Sequence, residues 1–333
     1  MRRRTFLSTL PAGALAAGAV AARGSPQAPA AASTPEGVRA YPYPDVGMGD
    51  RIVGVPFAGR STVWGARGAV ATAHPTASVI GLDILRRGGS AIDAAIAVNA
   101  ALGFLEPTGN GIGGDAFGLL WDPARGKVVG LNGSGASPRG LSLEAARSKA
   151  GANGLLPRYG AVTVNVPGAV DAWWAAHQRY GKLPWAEVLA PVIELCERGE
   201  AMPQQIAWYL ERNMAVFDRS TGIIEENDNR RRVFATDGRT PRVGEVFANP
   251  DLARTYQLIA GGGRDAFYDG PIADAIEGYF RRIGGWMTRA DLATHRTEWV
   301  EPLMSTYRGV EVYQLGPNTQ GLSTLQILNV CEQ

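Results

Sequence analysis

The sequence predicts an α+β domain over residues 51–333, and three observations carry that reading. Apolar residues recur at helical spacing in several windows, most clearly over 75–85 and 91–105. Two short apolar runs, Ala116 to Trp121 and Lys127 to Leu131, flank Asp122-Pro123-Ala124-Arg125-Gly126, a turn-rich interval of hairpin length. The composition, 45% hydrophobic and 19% charged, is that of an ordinary soluble globule. The region is long enough for one large domain or two small ones.

The segment before that domain is of another kind. Arg2-Arg3-Arg4-Thr5-Phe6-Leu7 precedes a small, apolar stretch from Leu10 to Ala22, and Ala19-Val20-Ala21 has the small-x-small pattern of a signal-peptidase site. An arginine pair followed by x-Phe-Leu marks the twin-arginine route, so residues 1–22 are expected to be an export signal and the protein periplasmic or secreted. The stretch is rich in Ala and Gly and too weakly apolar to make a stable membrane span. Residues 23–50 are expected to be a linker, since up to about Pro44 they are mostly Ala, Pro, Ser and Gly with few aliphatic side chains to bury. Loss of Arg2, Arg3 and Arg4 with the signal turns 33 basic against 31 acidic residues into 30 against 31. The apparent basicity belongs to the signal, and no clustered basic face points to nucleic acid.

Along the domain, Gly68 to Ala73 reads as a short buried strand. Pro75 then opens a helix through Leu85 that stops at Gly88-Gly89. Ser90-Ala91-Ile92-Asp93 forms a capping box for a second helix to about Leu105, apolar on nearly all faces and therefore buried. After the hairpin, a helix is expected near Ser142 to Lys149, a strand over Ala161 to Val166, and an aromatic-rich helix from Val170 to Tyr180. Leu183-Pro184-Trp185 starts another, to Glu197. Helices over Asp251 to Ala260, Ile272 to Ile283 and Arg289 to Thr294 follow, then an extended segment from Val310 to Leu315. A last helix begins near Leu322. It still runs at Gln333 without a cap or a terminating Gly, so the domain is expected to continue beyond that point.

Several motifs are set aside on context. Gly109-Asn110-Gly111-Ile112-Gly113-Gly114 satisfies G-x-G-x-x-G, but it follows a helix and opens a strand, the reverse of a dinucleotide site. Its glycines are expected to supply positive-φ turns and close backbone approach. Gly261-Gly262-Gly263-Arg264 lacks the Gly-Lys-Ser/Thr ending of a phosphate loop and reads as a helix stop and turn. His74, His177 and His295 show no metal-ligand spacing, and His177 lies in a helix where packing or exposure is its default. Cys196 falls on an apolar helical stripe with Val192, which favours a buried thiol over a disulfide with Cys331. Ser134, in Asn132-Gly133-Ser134-Gly135, is half of a nucleophile elbow that Ala136 and Ser137 do not complete.

Other stretches occur together and in order: Gly68-Ala69-Val70-Ala71-Thr72-Ala73-His74-Pro75, Leu85-Arg86-Arg87-Gly88-Gly89-Ser90-Ala91-Ile92-Asp93-Ala94-Ala95, Glu106-Pro107 with Gly111 to Phe117, Val166-Pro167-Gly168 with Tyr180-Gly181-Lys182-Leu183-Pro184-Trp185, and Tyr307-Arg308-Gly309 with Gly316-Pro317-Asn318-Thr319-Gln320-Gly321. From about Ala66 to Gln333 the chain resembles the large subunit of the γ-glutamyltransferase (glutathione hydrolase) family. The resemblance implies an N-terminal-nucleophile hydrolase fold, a four-layer αββα sandwich incomplete in this chain. It implies a proenzyme that cleaves itself before a threonine, whose hydroxyl then attacks an amide while its own amine serves as base. That threonine and the family's oxyanion-hole glycines belong to the small subunit, expected from the same precursor beyond Gln333. The isolated chain is therefore expected to be inactive. Thr294-His295 superficially resembles the processing threonine-histidine pair, but it aligns with a large-subunit helix around Asp291-Leu292-Ala293. No metal or organic cofactor is implied.

The resemblance places Ser134 where γ-glutamyl enzymes have an arginine that grips the substrate carboxylate in a bidentate fork, which a hydroxyl does not reproduce. Asn132-Gly133-Ser134-Gly135 and Pro317-Asn318-x-Gln320-Gly321 look more like oxamate amidohydrolase-like and cephalosporin acylase-like members. Asn132, Ser134 and Arg139 are the substrate-binding candidates, Arg139 as the nearest remaining cation. The complete protein is expected to hydrolyse or transfer small-molecule γ-glutamyl or acyl amides, glutathione-like substrates, through an acyl-enzyme on that threonine, with a non-glutamyl amidohydrolase of the oxamate or cephalosporin acylase kind as the alternative. An inactive exported remnant with a binding role is the non-enzymatic alternative.

Overall fold

The computed structural model describes residues 63–220, 225, 227–235 and 237–332. The expected signal and linker lie outside them. Helix α1 (Pro75–Arg86) starts as its proline suggests, with His74 as N-cap accepting the Thr76 N–H on Nδ1 at 3.2 Å. Helix α2 (Ala91–Leu105) carries the expected capping box: Asp93 N–H donates to Ser90 Oγ at 3.0 Å and Ser90 N–H to Asp93 Oδ2 at 2.8 Å. The hairpin is β1 (Ala116–Asp122) and β2 (Lys127–Gly133), its turn closed by the Ala124 and Arg125 N–H groups on Asp122 Oδ1. Then come α3 (Leu143–Ser148), α4 (Ala169–Tyr180), α5 (Trp185–Arg198), β3 (Glu200–Ala201), α6 (Gln204–Arg219), α7 (Asn227–Phe234) and β4 (Val246–Phe247). The described chain closes with α8 (Pro250–Tyr268), α9 (Pro271–Arg282), α10 (Arg289–Thr294), β5 (Glu298–Val300), β6 (Leu303–Tyr307), β7 (Val310–Gln314) and α11 (Gly321–Cys331).

The core is helical. Helix α2, as apolar as expected, packs against α1, α4 and α5, and α5 packs in turn on α8. Val188, Leu189 and Val192 of α5 and Tyr256 and Ile259 of α8 are fully buried, each aliphatic side chain contributing about 2 kcal/mol on removal from water. The polar ends of the large aromatics are satisfied. Tyr256 donates to the Ala100 carbonyl at 2.9 Å, Trp185 Nε1 to that of Ile259 at 2.9 Å, and Trp173 Nε1 to Asn99 Oδ1 at 2.7 Å. Buried Asp93 also accepts the Lys182 and Leu183 N–H groups, which pins the start of α2 to the turn before α5. His177 packs there as expected, donating from Nε2 to the Leu183 carbonyl at 2.8 Å with its ring edge-on to Trp185. Both cysteines are free, and burial pushes the Cys196 thiol up to about 12.

Strands β1, β2 and β5 form one antiparallel sheet in the order β1-β2-β5, and β6-β7 and β3-β4 form two-stranded pairs. In register, Phe117 faces Asn132, Leu119 faces Gly130 and Trp121 faces Val128. The alternate residues Phe117, Leu119 and Trp121 share one face of the edge strand β1 and are 43%, 42% and 64% exposed.

Four expectations change. Gly68 to Ala73 forms no strand: Val70 packs against α1 and α2 beside Gly81 and Val98, and no ladder partner among the described residues reaches its backbone. Over Ala161 to Val166 the chain makes a short 3-10 turn (Ala161–Thr163) and then runs irregularly. Helix α8 continues to Tyr268 instead of stopping near Ala260: Gly263 takes φ 60°, kinks the helix and lets it resume, with the Trp174 ring filling the space a side chain would need. The glycines of 109–114 take no positive φ; those needing close approach lie elsewhere.

Candidate functional site

The end of β2 places Asn132 and Ser134 together. Asn132 and Asn318, from the turn between β7 and α11, exchange two amide hydrogen bonds of 3.1 and 3.2 Å. Asn132 Oδ1 also accepts the Ser134 N–H at 3.2 Å, so the amide fixes the turn that follows it. One residue on, the Gly135 N–H donates to Asp115 Oδ1 at 3.3 Å. Asp115 in turn lines a cavity of about 420 Å³ with Asn99 and the Gly109–Gly114 loop. The groups holding the turn are thus two amides and one carboxylate. A cation is not among them.

Arg139 is placed differently. It is exposed, and its N–H donates to Asp291 Oδ1 at 3.1 Å, which ties it to α10. Asp291 caps that helix with Thr288. Burial opposes ionisation of Asp291, but the Thr288 hydroxyl and the Arg139 and Thr288 N–H groups hold its carboxyl below the ordinary range. The structure therefore joins two of the three predicted residues and anchors the third to a helix.

Beneath the turn, two stretches of backbone touch. The Val166 N–H donates to the Ala136 carbonyl, and the Gly168 and Ala169 N–H groups both donate to Gly114 O, each at 2.9 Å. A Cβ on Gly135 would stand 1.6 Å from Val166 O, and one on Gly168 1.8 Å from Gly133 O. Only glycine permits this clasp.

Under the clasp lies a buried polar cluster that sequence reasoning did not find. Asp171 of α4 accepts Arg264 Nε on Oδ1 and the Thr297 N–H on Oδ2, the latter at 2.6 Å. Arg264 also donates to the His295 carbonyl at 2.6 Å, with its guanidinium over the Tyr268 ring at 4.6 Å. Tyr268 donates to the Pro167 carbonyl at 2.7 Å, accepts the Asp171 N–H and stacks on His295. Its hydroxyl titrates well above the ordinary tyrosine range, chiefly because it is buried. These partners are far apart in the chain, so no local motif announces them; Asp171 within an otherwise apolar helix start was the one visible sign. Among the described residues no group of three or more His, Cys, Asp or Glu could hold a metal ion, and no helix is long and apolar enough to cross a membrane.

Comparison with known proteins bears on both fold and site. The family model described as gamma-glutamyltranspeptidase matches residues 77–333. The chain is 35% identical over 272 residues to the glutathione hydrolase-like YwrD proenzyme of Bacillus subtilis, covering 81% of this chain and 50% of that protein. In structure it resembles the cephalosporin acylase from Bacillus halodurans, with a TM-score of 0.77 and 42% identity over 88% of this chain and 52% of that one. It also resembles the gamma-glutamyltranspeptidase of Helicobacter pylori, with a TM-score of 0.74 and 29% identity over 82% and 76% of the two chains. The N-terminal-nucleophile hydrolase fold class is borne out. The chain spans about half the length of the YwrD relative. It belongs to the gamma-glutamyltranspeptidase family.

Proposed function

We propose that the chain is the large-subunit part of an exported proenzyme whose complete form hydrolyses or transfers the acyl group of small amides. A threonine freed by self-cleavage, in the part of the precursor beyond these residues, supplies the nucleophile. Its hydroxyl oxygen bonds to the amide carbon, its α-amine takes the hydroxyl proton, and the leaving amine departs with that proton. Water or an acceptor amine then releases the acyl group from the ester. The small subunit covers the exposed Phe117, Leu119 and Trp121 face, an apolar stripe of the kind that marks an interaction surface.

The observation that carries the substrate reading is the neutral turn at Asn132, Ser134 and Asn318 with the Asp115 carboxylate beside it. Hydroxyl and amide groups match an uncharged polar acyl chain, while a carboxylate ligand meets a like charge and, among the described residues that hold the turn, no guanidinium. The reading is therefore an acylase or amidohydrolase acting on amides without an α-carboxylate, rather than a glutathione hydrolase. The residues around Arg3 and Arg4 support twin-arginine export of the folded precursor, residues 23–50 the linker.

A panel of glutathione, oxamate and neutral acyl amides, offered to the purified full-length protein after self-cleavage, tests the assignment. The largest kcat/KM is expected for a neutral acyl amide. Preferential turnover of glutathione overturns it.

A further inference from the structure

We propose that His295 is a positioning residue for the Ser134 turn, held by Asp171 and Arg264 and acting through its imidazole edge at the Gly133–Gly168 clasp. The inference rests on reading that turn as the subsite for the acyl group.

Among the described residues, His74 Nε2, Asp93 Oδ1, His295 Nε2 and Thr297 Oγ1 are buried without a hydrogen-bond partner. Native interiors rarely leave such atoms unpaired, so each calls for a reason. His74 belongs to the cap of α1 and Asp93 to the start of α2; His295 and Thr297 belong to the cluster beneath the turn. His295 is only 8% exposed. Its ring stacks on Tyr268 at 5.6 Å and 24°, its carbonyl is held by Arg264, and Arg264 is delivered there by the kink at Gly263. The imidazole is thus wedged between Tyr268 and the clasp. A Cβ placed on Gly168 would lie 3.3 Å from His295 Nε2 and 1.8 Å from Gly133 O, which puts ring nitrogen and carbonyl on the same side of Gly168. Gly133 directly precedes Ser134. A change in what Nε2 offers, lone pair or proton, is therefore felt one residue from the proposed subsite.

The charges facing the ring come from every side. Asp171 stands on α4, Arg264 on α8, Asp115 before β1 and Arg296 beside it in its own segment; Tyr268 is the aromatic wall. Burial acts most strongly and holds the imidazole below the ordinary histidine value of 6.5; the two arginines push the same way and the two aspartates oppose. The ring is neutral at pH 7. Its protonation on acidification puts a buried charge, with both ring nitrogens then carrying hydrogen, beside Gly168 on the side of the Gly133 carbonyl, and shifts the turn.

The test uses the complete precursor labelled with 15N-glycine, following the Gly133, Gly135 and Gly168 amides by NMR from about pH 7.5 to 4.5. In the unmodified protein these signals are expected to move together with a midpoint below 6.5. In His295→Gln, which keeps a neutral hydrogen-bonding side chain, the movement is expected to fall by at least about fivefold. His295→Asn serves if the glutamine variant does not fold. Glycine signals that stay still in the unmodified protein, or that titrate alike in the variants, overturn the proposal. With an acyl amide that is turned over, His295→Gln is expected to raise KM several-fold with kcat little changed, and His295→Phe to do more harm; an effect confined to kcat also overturns it. Absence of turnover on every amide would instead sink the functional reading, and the glycine titration, which needs no substrate, would still decide His295.

Discussion

Two sets of glycines sit within reach of Asp115, and they differ in what they do. Gly109, Gly111 and Gly113 form the run that stands out in the sequence, yet a Cβ on any of them would meet nothing within 4 Å, and none takes a positive φ. Gly135 and Gly168 are scattered, belong to no run, and stand against backbone oxygens at distances no side chain tolerates. The conspicuous run lines an open cavity. The inconspicuous pair holds the end of β2 against the irregular segment that leads into α4, under Ser134. Glycine density in a sequence thus marks room, whereas the glycines that fix a site are those whose missing side chain lets two backbones meet.

Gly168→Ala should break this comparison most severely. The clasp must open to admit the methyl group, with loss of the bonds to Gly114 O, and a destabilisation of at least about 3 kcal/mol is expected in urea unfolding of the complete precursor. Asp171→Asn tests the layer below. It leaves the half-buried Arg264, its side chain 11% exposed, against a neutral amide, with an expected loss of about 3 kcal/mol by the same measurement and a change in the near-ultraviolet signal of Tyr268. A smaller effect comes from His295. Because its folded-state value lies below 6.5, the unfolded chain binds more protons as pH falls. The contribution of the neutral ring is complete above 6.5 and is lost on acidification towards the folded-state value. His295→Gln should flatten that part of the stability-pH curve. Gly111→Ala should change stability by less than about 0.5 kcal/mol.

What could be read from the sequence was local. The capping box at Ser90 and Asp93, the proline that starts α1, the hairpin and its turn all depend on residues within a few positions of one another, and each was placed to within about two residues. Gly68 to Ala73 has the composition of a strand but not the partner a strand needs. Helix α6 went unpredicted because only Ile206, Ala207 and Leu210 along its length are buried. Of the candidate site, Asn132 and Ser134 were singled out by the resemblance at Asn132-Gly133-Ser134-Gly135 and lie together, whereas Arg139 was judged by its closeness in sequence and is tied to α10. The Asp171–Arg264–His295 cluster joins α4, the kinked end of α8 and the segment after α10. No periodicity links positions that far apart.

If the Ser134 turn reads the acyl group of the substrate as uncharged, one substitution reverses the preference. Ser134→Arg in the full-length, self-cleaved protein introduces a guanidinium beside Asn132, and kcat/KM is then compared for a γ-glutamyl amide and a neutral acyl amide of the same leaving group. A rise of at least about tenfold is expected for the γ-glutamyl substrate, equivalent to about 1.4 kcal/mol, with a fall for the neutral one. A preference left unchanged by the arginine would contradict that reading.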